Sequence, residues 1–108
     1  MPRRYYNKLV RDKIVEQIKQ MGNHPEYHIA SDSEYRQALR EKILEEAREF
    51  NESQNIEELI DILEAIYCLI EFENLNFAKI ENLRRKKNEL RGSFRRRIIL
   101  EYVETNAS

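Results

Sequence analysis

Two short acidic runs carry the chemistry this sequence can offer. Leu44-Glu45-Glu46-Ala47-Arg48-Glu49-Phe50 contains E-E-x-x-E, and Glu58-Leu59-Ile60-Asp61 contains E-x-x-D a few residues later. Residues three apart on a helix share a face, so Glu46 pairs with Glu49, and Glu58 with Asp61. If both runs are helical and the chain turns near Ser53–Gln54, Glu49 falls opposite Glu58 and Glu46 opposite Asp61. The four carboxylates then form a square on two facing helices. Carboxylates that close repel, and some must protonate unless a cation neutralises them. A hard divalent cation with oxygen ligands, Mg²⁺ first and Mn²⁺ second, is the natural complement. The competing reading is a solvated acidic face on a helix rich in a good helix former, paired with Lys42 and Arg48.

The elements that must position these acids are legible from apolar spacing. Leu9, Val10, Ile14, Ile18 and Met21 recur at helical intervals over Lys8 to Met21, and Gly22 follows as a C′ residue. A second helix starts near Ser31–Asp32–Ser33, where Ser31 and Glu34 have capping-box spacing, and runs through Leu39, Ile43 and Phe50 toward Asn51. A third starts near Asn55, with Glu58 again at cap spacing, and runs from Leu59 to Leu75. A fourth covers Phe77 to Arg91 and stops at Gly92, also read as C′. At about 100° per residue, the acids flank the stripes formed by Leu39, Ile43 and Phe50 and by Ile62, Ala65 and Leu69, so they sit at the edge of the buried face. Phe94 to Val103 is rich in β-formers and reads as a short strand or a last helical turn.

The third helix is apolar over much of its circumference, from Leu59 through Ile70, and a chain of 108 residues has few ways to cover it. The expected fold is therefore all-α: a four-helix antiparallel bundle, one domain over residues 1–108, completed by a homodimer or homotetramer, with a short C-terminal extended segment. One cysteine, Cys68, excludes an internal disulfide and fits a reducing, cytoplasmic setting. The opening Met-Pro-Arg-Arg-Tyr-Tyr lacks the apolar stretch of a secretory signal, and acids interrupt the longest apolar run, so no membrane segment is expected. Charge is divided along the chain. Glu41 to Glu64 holds nine acids and two bases, a net −7, and Lys79 to Arg97 holds nine bases and two acids, a net +7. The acids can hold cations while the bases hold phosphates that those cations bridge.

The successive E-E-x-x-E and E-x-x-D runs resemble the all-α nucleoside triphosphate pyrophosphatases, the superfamily of MazG-like proteins, dimeric dUTPases and phosphoribosyl-ATP pyrophosphohydrolase. Three further segments are similar to a small MazG-like subgroup: Tyr6-Asn7-Lys8-Leu9-Val10-Arg11-Asp12-Lys13-Ile14, Glu57-Glu58-Leu59-Ile60-Asp61-Ile62-Leu63-Glu64 and Arg91-Gly92-Ser93-Phe94. Val15 stands where that subgroup often has proline, and Ser93 where it often has a second glycine. The resemblance implies Mg²⁺-dependent cleavage of a nucleotide into a monophosphate and pyrophosphate, as in house-cleaning of non-canonical nucleotides. It implies Glu46, Glu49, Glu58 and Asp61 as metal ligands, with Glu45 orienting the attacking water or supporting the ligands.

Phosphoanhydride hydrolysis needs charge neutralisation and an aligned water. Glu45 and Glu49 are both candidates to take the water's proton. Lys8, Arg11, Lys13, Arg91, Arg95 and Arg96 are candidates to hold the outer phosphates of the nucleotide substrate. The alternative function is a nucleic-acid-binding helical module using Arg84-Arg85-Lys86-Lys87 and Arg95-Arg96-Arg97; the inward-facing acids argue against nucleic acid as the partner.

Overall fold

The computed structural model describes residues 2–106. Among them are four helices and no strand: α1 (Ile14–Gln20), α2 (Asp32–Ser53), α3 (Ile56–Phe72) and α4 (Phe77–Arg91). The chain divides into two compact units, Met1–Leu75 and Asn76–Ser108. No helix among the described residues is long and apolar enough to cross a membrane.

In the first unit α2 and α3 form an antiparallel hairpin. Ser31 caps α2, its hydroxyl accepting from the Glu34 N–H at 3.3 Å. The reciprocal half of the capping box is absent, because the Glu34 carboxylate turns to His28 Nε2 at 2.9 Å. The turn is two residues long. Gln54 takes a left-handed conformation (φ +59°) and donates to Phe50 O at 2.8 Å, and Asn55 then caps α3 by accepting from the Glu57 N–H at 3.1 Å. At the far end the Tyr35 and Phe72 rings meet edge to face, 5.1 Å between centroids. Tyr35 lies eleven residues before Glu46 and Phe72 eleven after Asp61, so this contact has the register that sets the two acid pairs opposite one another. Arg36 pairs with Glu73 and lays its guanidinium 5.1 Å over the Phe72 ring.

The core of this hairpin is thin. Leu39, 1% exposed, and Ala65 are its buried apolar residues, with Ile43, Phe50, Ile62 and Leu69 half-buried around them. The stripes read from the sequence therefore face one another. The opposite side of α3 stays open: Leu59, Ile60 and Leu63 are each about half exposed (48%, 49% and 50%).

Two helix boundaries differ from expectation. Residues 8–13 are not helical, and α1 keeps only seven residues, Ile14–Gln20, with Met21 as its C-cap. Asn7 turns the chain with φ +46°, and Lys8 and Arg11, which a helix would set on one face, instead reach acids on two different helices. Helix α3 stops at Phe72 rather than Leu75. Asn74 adopts φ +55°, its N–H donating to Glu71 O and that of Leu75 to Ile70 O, both at 3.0 Å. This is a Schellman closure with asparagine in the place glycine usually takes. The end of α1 is closed in the same way with Gly22 at φ +83°: its N–H reaches Lys19 O at 2.9 Å, and that of Asn23 reaches Ile18 O at 3.2 Å.

The second unit holds α4, whose range matches the sequence expectation. Asn76 Oδ1 caps it, accepting from the N–H groups of Ala78 (2.8 Å) and Lys79 (3.3 Å). Gly92 ends it one place earlier than a C′ residue would, with φ +83° and ψ 169°. From Gly92 to residue 106 there is neither helix nor strand, and Phe94, Ile98, Ile99 and Leu100 are exposed.

Candidate metal centre

The last turns of α2 bring Glu45, Glu46 and Glu49 together, one carboxylate oxygen of each lying within 4.8 Å of the others. Helical geometry does this unaided, since Glu49 stands three residues from Glu46 and four from Glu45. Glu46 is the one charged residue buried among the described residues, 5% exposed; Glu45 is half-buried and Glu49 exposed. The Glu49 carboxyl is pushed above its ordinary pKa first by the charge of Glu46, then by desolvation and by Glu45.

Two ammonium groups answer these three acids. Lys42 Nζ lies 3.2 Å from Glu46 and 4.0 Å from Glu45, as i,i+4 and i,i+3 neighbours on α2. Lys8 Nζ reaches Glu45 Oε1 at 3.1 Å from the N-terminal segment, and that hydrogen bond raises the lysine pKa. Lys42 thus takes the pairing role that the solvated-face reading gave it, although against a buried rather than a solvated acid.

The two α3 acids stand outside this cluster. Asp61 Oδ1 accepts from Arg11 Nη2 at 2.5 Å and Nε at 3.1 Å. Glu58 Oε1 accepts from the Ser53 hydroxyl at 3.2 Å, across the turn. Its Oε2 is buried and has no hydrogen-bond partner. Buried carboxylate oxygens without a donor are costly, and such an atom is suited to an ion or a water. The expected square is therefore expressed as a cluster of three acids on α2, with Asp61 drawn to Arg11 and Glu58 held half by Ser53. Glu45, assigned a supporting place, belongs to the cluster itself.

An open depression lies against the cluster, walled by Tyr6, Asn7, Lys8, Glu41, Glu45, Arg48 and Glu49. Of the phosphate-binding candidates, Lys8 is on this wall and Arg11 is on Asp61. Lys13 precedes α1 as its N-cap and is exposed. Arg91, Arg95 and Arg96 belong to the second unit. The sequence marks Tyr6 as a ring that could stack on a base and Ser53 as part of the turn, but it does not place either beside these acids. Lys42 was readable from its spacing, and the other two were not, because a turn and an irregular segment bring them in. No protein-family profile, curated protein or solved structure matches the chain.

Proposed function

We propose that the chain is a Mg²⁺-dependent nucleoside triphosphate pyrophosphohydrolase that releases a nucleoside monophosphate and pyrophosphate, with Mn²⁺ as a substitute ion and non-canonical nucleotides as the substrate class. The observation that carries this reading is the three-carboxylate cluster with Glu46 buried inside it, beside a hairpin partner whose Glu58 Oε2 lacks a donor. Burying a carboxylate among carboxylates is unfavourable in an empty protein and favourable in one that binds a cation. Glu45, Glu46 and Glu49 would hold the ion, and Glu58 and Asp61, on the facing helix and outside the cluster, would be its further oxygen donors. When bound, a divalent cation neutralises phosphate charge and acidifies a coordinated water.

The chain's own residues supply the rest. Glu49 is the exposed member of the cluster, so it is the one placed to meet a water and take its proton. Lys8 and Arg48 face the depression and offer cationic donors to the outer phosphates. Tyr6, on the same wall, offers a ring against which a base stacks. The test is a nucleotide panel with and without Mg²⁺, scored by pyrophosphate release. Turnover that needs Mg²⁺ is expected; no pyrophosphate from any nucleotide overturns the reading.

A second copy of the chain is the proposed cover for the open side of α3. Ile56, Leu59, Ile60, Leu63 and Ile66 recur at helical spacing and are all exposed, a stripe of the kind that pairs helices between subunits. Leu63→Asp should shift a dimer or tetramer to monomer in sedimentation; a wild-type chain that sediments as a monomer overturns this assembly.

A further inference from the structure

The N-terminal segment contacts the acidic hairpin through two cations placed on candidate ligands. Residues 2–13 hold no helix or strand. The left-handed turn at Asn7, a residue that tolerates that conformation, directs Lys8 to Glu45 on α2. Three residues on, Arg11 takes Asp61 on α3 with both Nε and Nη2 on one carboxylate oxygen. Between them Leu9 is half-buried, so the segment is seated as well as charged. Both cationic side chains remain about half exposed, Lys8 at 41% and Arg11 at 54%. Exposed ion pairs are weak and exchange readily, so neither contact is a permanent clasp. Glu45 and Asp61 would each lose a cation if the segment moved, and Lys42 would then be the cation left within 4.0 Å of the α2 cluster among the described residues.

We infer that residues 6–13 form an exchangeable strap, in which Lys8 and Arg11 occupy Glu45 and Asp61 until a divalent cation arrives with a polyphosphate, and then pass from carboxylate to phosphate. The inference rests on the metal-centre reading above. Charge decides the sequence of partners. A cation entering alone must displace an ammonium or a guanidinium into solvent. A cation entering with a triphosphate gives each displaced group a new anion, and Lys8 already stands in the wall of the depression. Metal and polyphosphate are thereby coupled: each tightens the binding of the other by the same factor, as linkage requires. The strap makes the site selective for metal-bound polyphosphate over the free ion.

The test titrates Mn²⁺ into the full chain by electron paramagnetic resonance, with and without a non-hydrolysable triphosphate analogue. The wild type, Lys8→Gln, Arg11→Gln, the charge-keeping Lys8→Arg and Arg11→Lys, and Lys19→Gln as a remote charge control are compared. Without analogue, Lys8→Gln and Arg11→Gln should bind Mn²⁺ roughly two- to fivefold more tightly than wild type, since an exposed pair no longer competes. The analogue should tighten Mn²⁺ in the wild type by about fivefold or more, and by much less in the two glutamine variants. The charge-keeping variants and Lys19→Gln should follow the wild type. Equal or weaker Mn²⁺ binding in the glutamine variants, or undiminished coupling, overturns the strap while leaving the metal centre standing. A wild type that binds no Mn²⁺ removes the metal centre and the strap together.

Discussion

Glu49 on α2 and Glu81 on α4 are the same residue type on two charged helices, and their protonation is driven in opposite directions. Glu81 sits beside Arg84, at 2.5 Å, and Arg85, at 3.3 Å, and its pKa falls to about 2, chiefly through the Arg84 hydrogen bond. Glu49 sits beside Glu46 and Glu45, and its pKa rises. Helix α4 thus settles its acid within one turn, by the i,i+3 and i,i+4 pairs that stabilise any exposed helix. Helix α2 gathers acids faster than it supplies bases, and it borrows Lys8 from outside the helix. Local electrostatics are left unsettled in one place and settled in the other, and the proposed ion would settle the first.

The contrast breaks most visibly in catalysis. Glu46→Gln is expected to abolish pyrophosphate release, a loss of about a thousandfold or more, while Glu81→Gln leaves it unchanged. Circular dichroism should show the helices intact in both, and equal turnover in the two variants would erase the distinction between the helices.

Packing gives the next largest difference. Leu39→Ala empties the best-buried position in the hairpin and should cost about 2–5 kcal/mol in denaturant unfolding. Leu83→Ala, on α4 and about half exposed, should cost well under that.

A smaller effect sharpens the electrostatic side. A raised carboxyl pKa means that the fold prefers Glu49 protonated. Its contribution is favourable below the ordinary value of 4.5 and is lost as pH rises through the raised one. Glu49→Gln should therefore raise the Tm of the metal-free chain at pH 7, and the gain should disappear below pH 4.5. Mg²⁺ should raise the wild-type Tm and do less for Glu49→Gln; a Tm that ignores Mg²⁺ in both speaks for a merely solvated face.

The smallest effect has the opposite sign. A lowered pKa stabilises α4 above 4.5, and that support fades as pH falls toward about 2. Amide signals of α4 should weaken over that window in the wild type. In Glu81→Gln they should start weaker and change less.

The chain's own letters were enough for the existence of the four helices and for the starts of α2 and α3. Ser31 and Asn55 announce helix starts because their side chains accept from the first free N–H groups, and Gly22 announces an end because its backbone takes a positive φ without strain. The spacing of Leu39, Ile43, Ile62, Ala65 and Leu69 identifies the faces that meet, and the gap between the acid runs sets the hairpin register. Glu45, Glu46 and Glu49 cluster for the same reason, since one helix suffices to bring them together.

What spacing cannot contain is competition between distant groups. Helix α1 starts at Ile14, and the non-helical segment before it puts Lys8 and Arg11 on acids 37 and 50 residues away, partners that a periodic apolar pattern does not record. Asp61 is held by Arg11 and stands outside the carboxylate cluster. Only the folded chain decides which cation reaches which carboxylate, because that choice depends on distance in space, and Coulomb attraction takes no account of position along the chain.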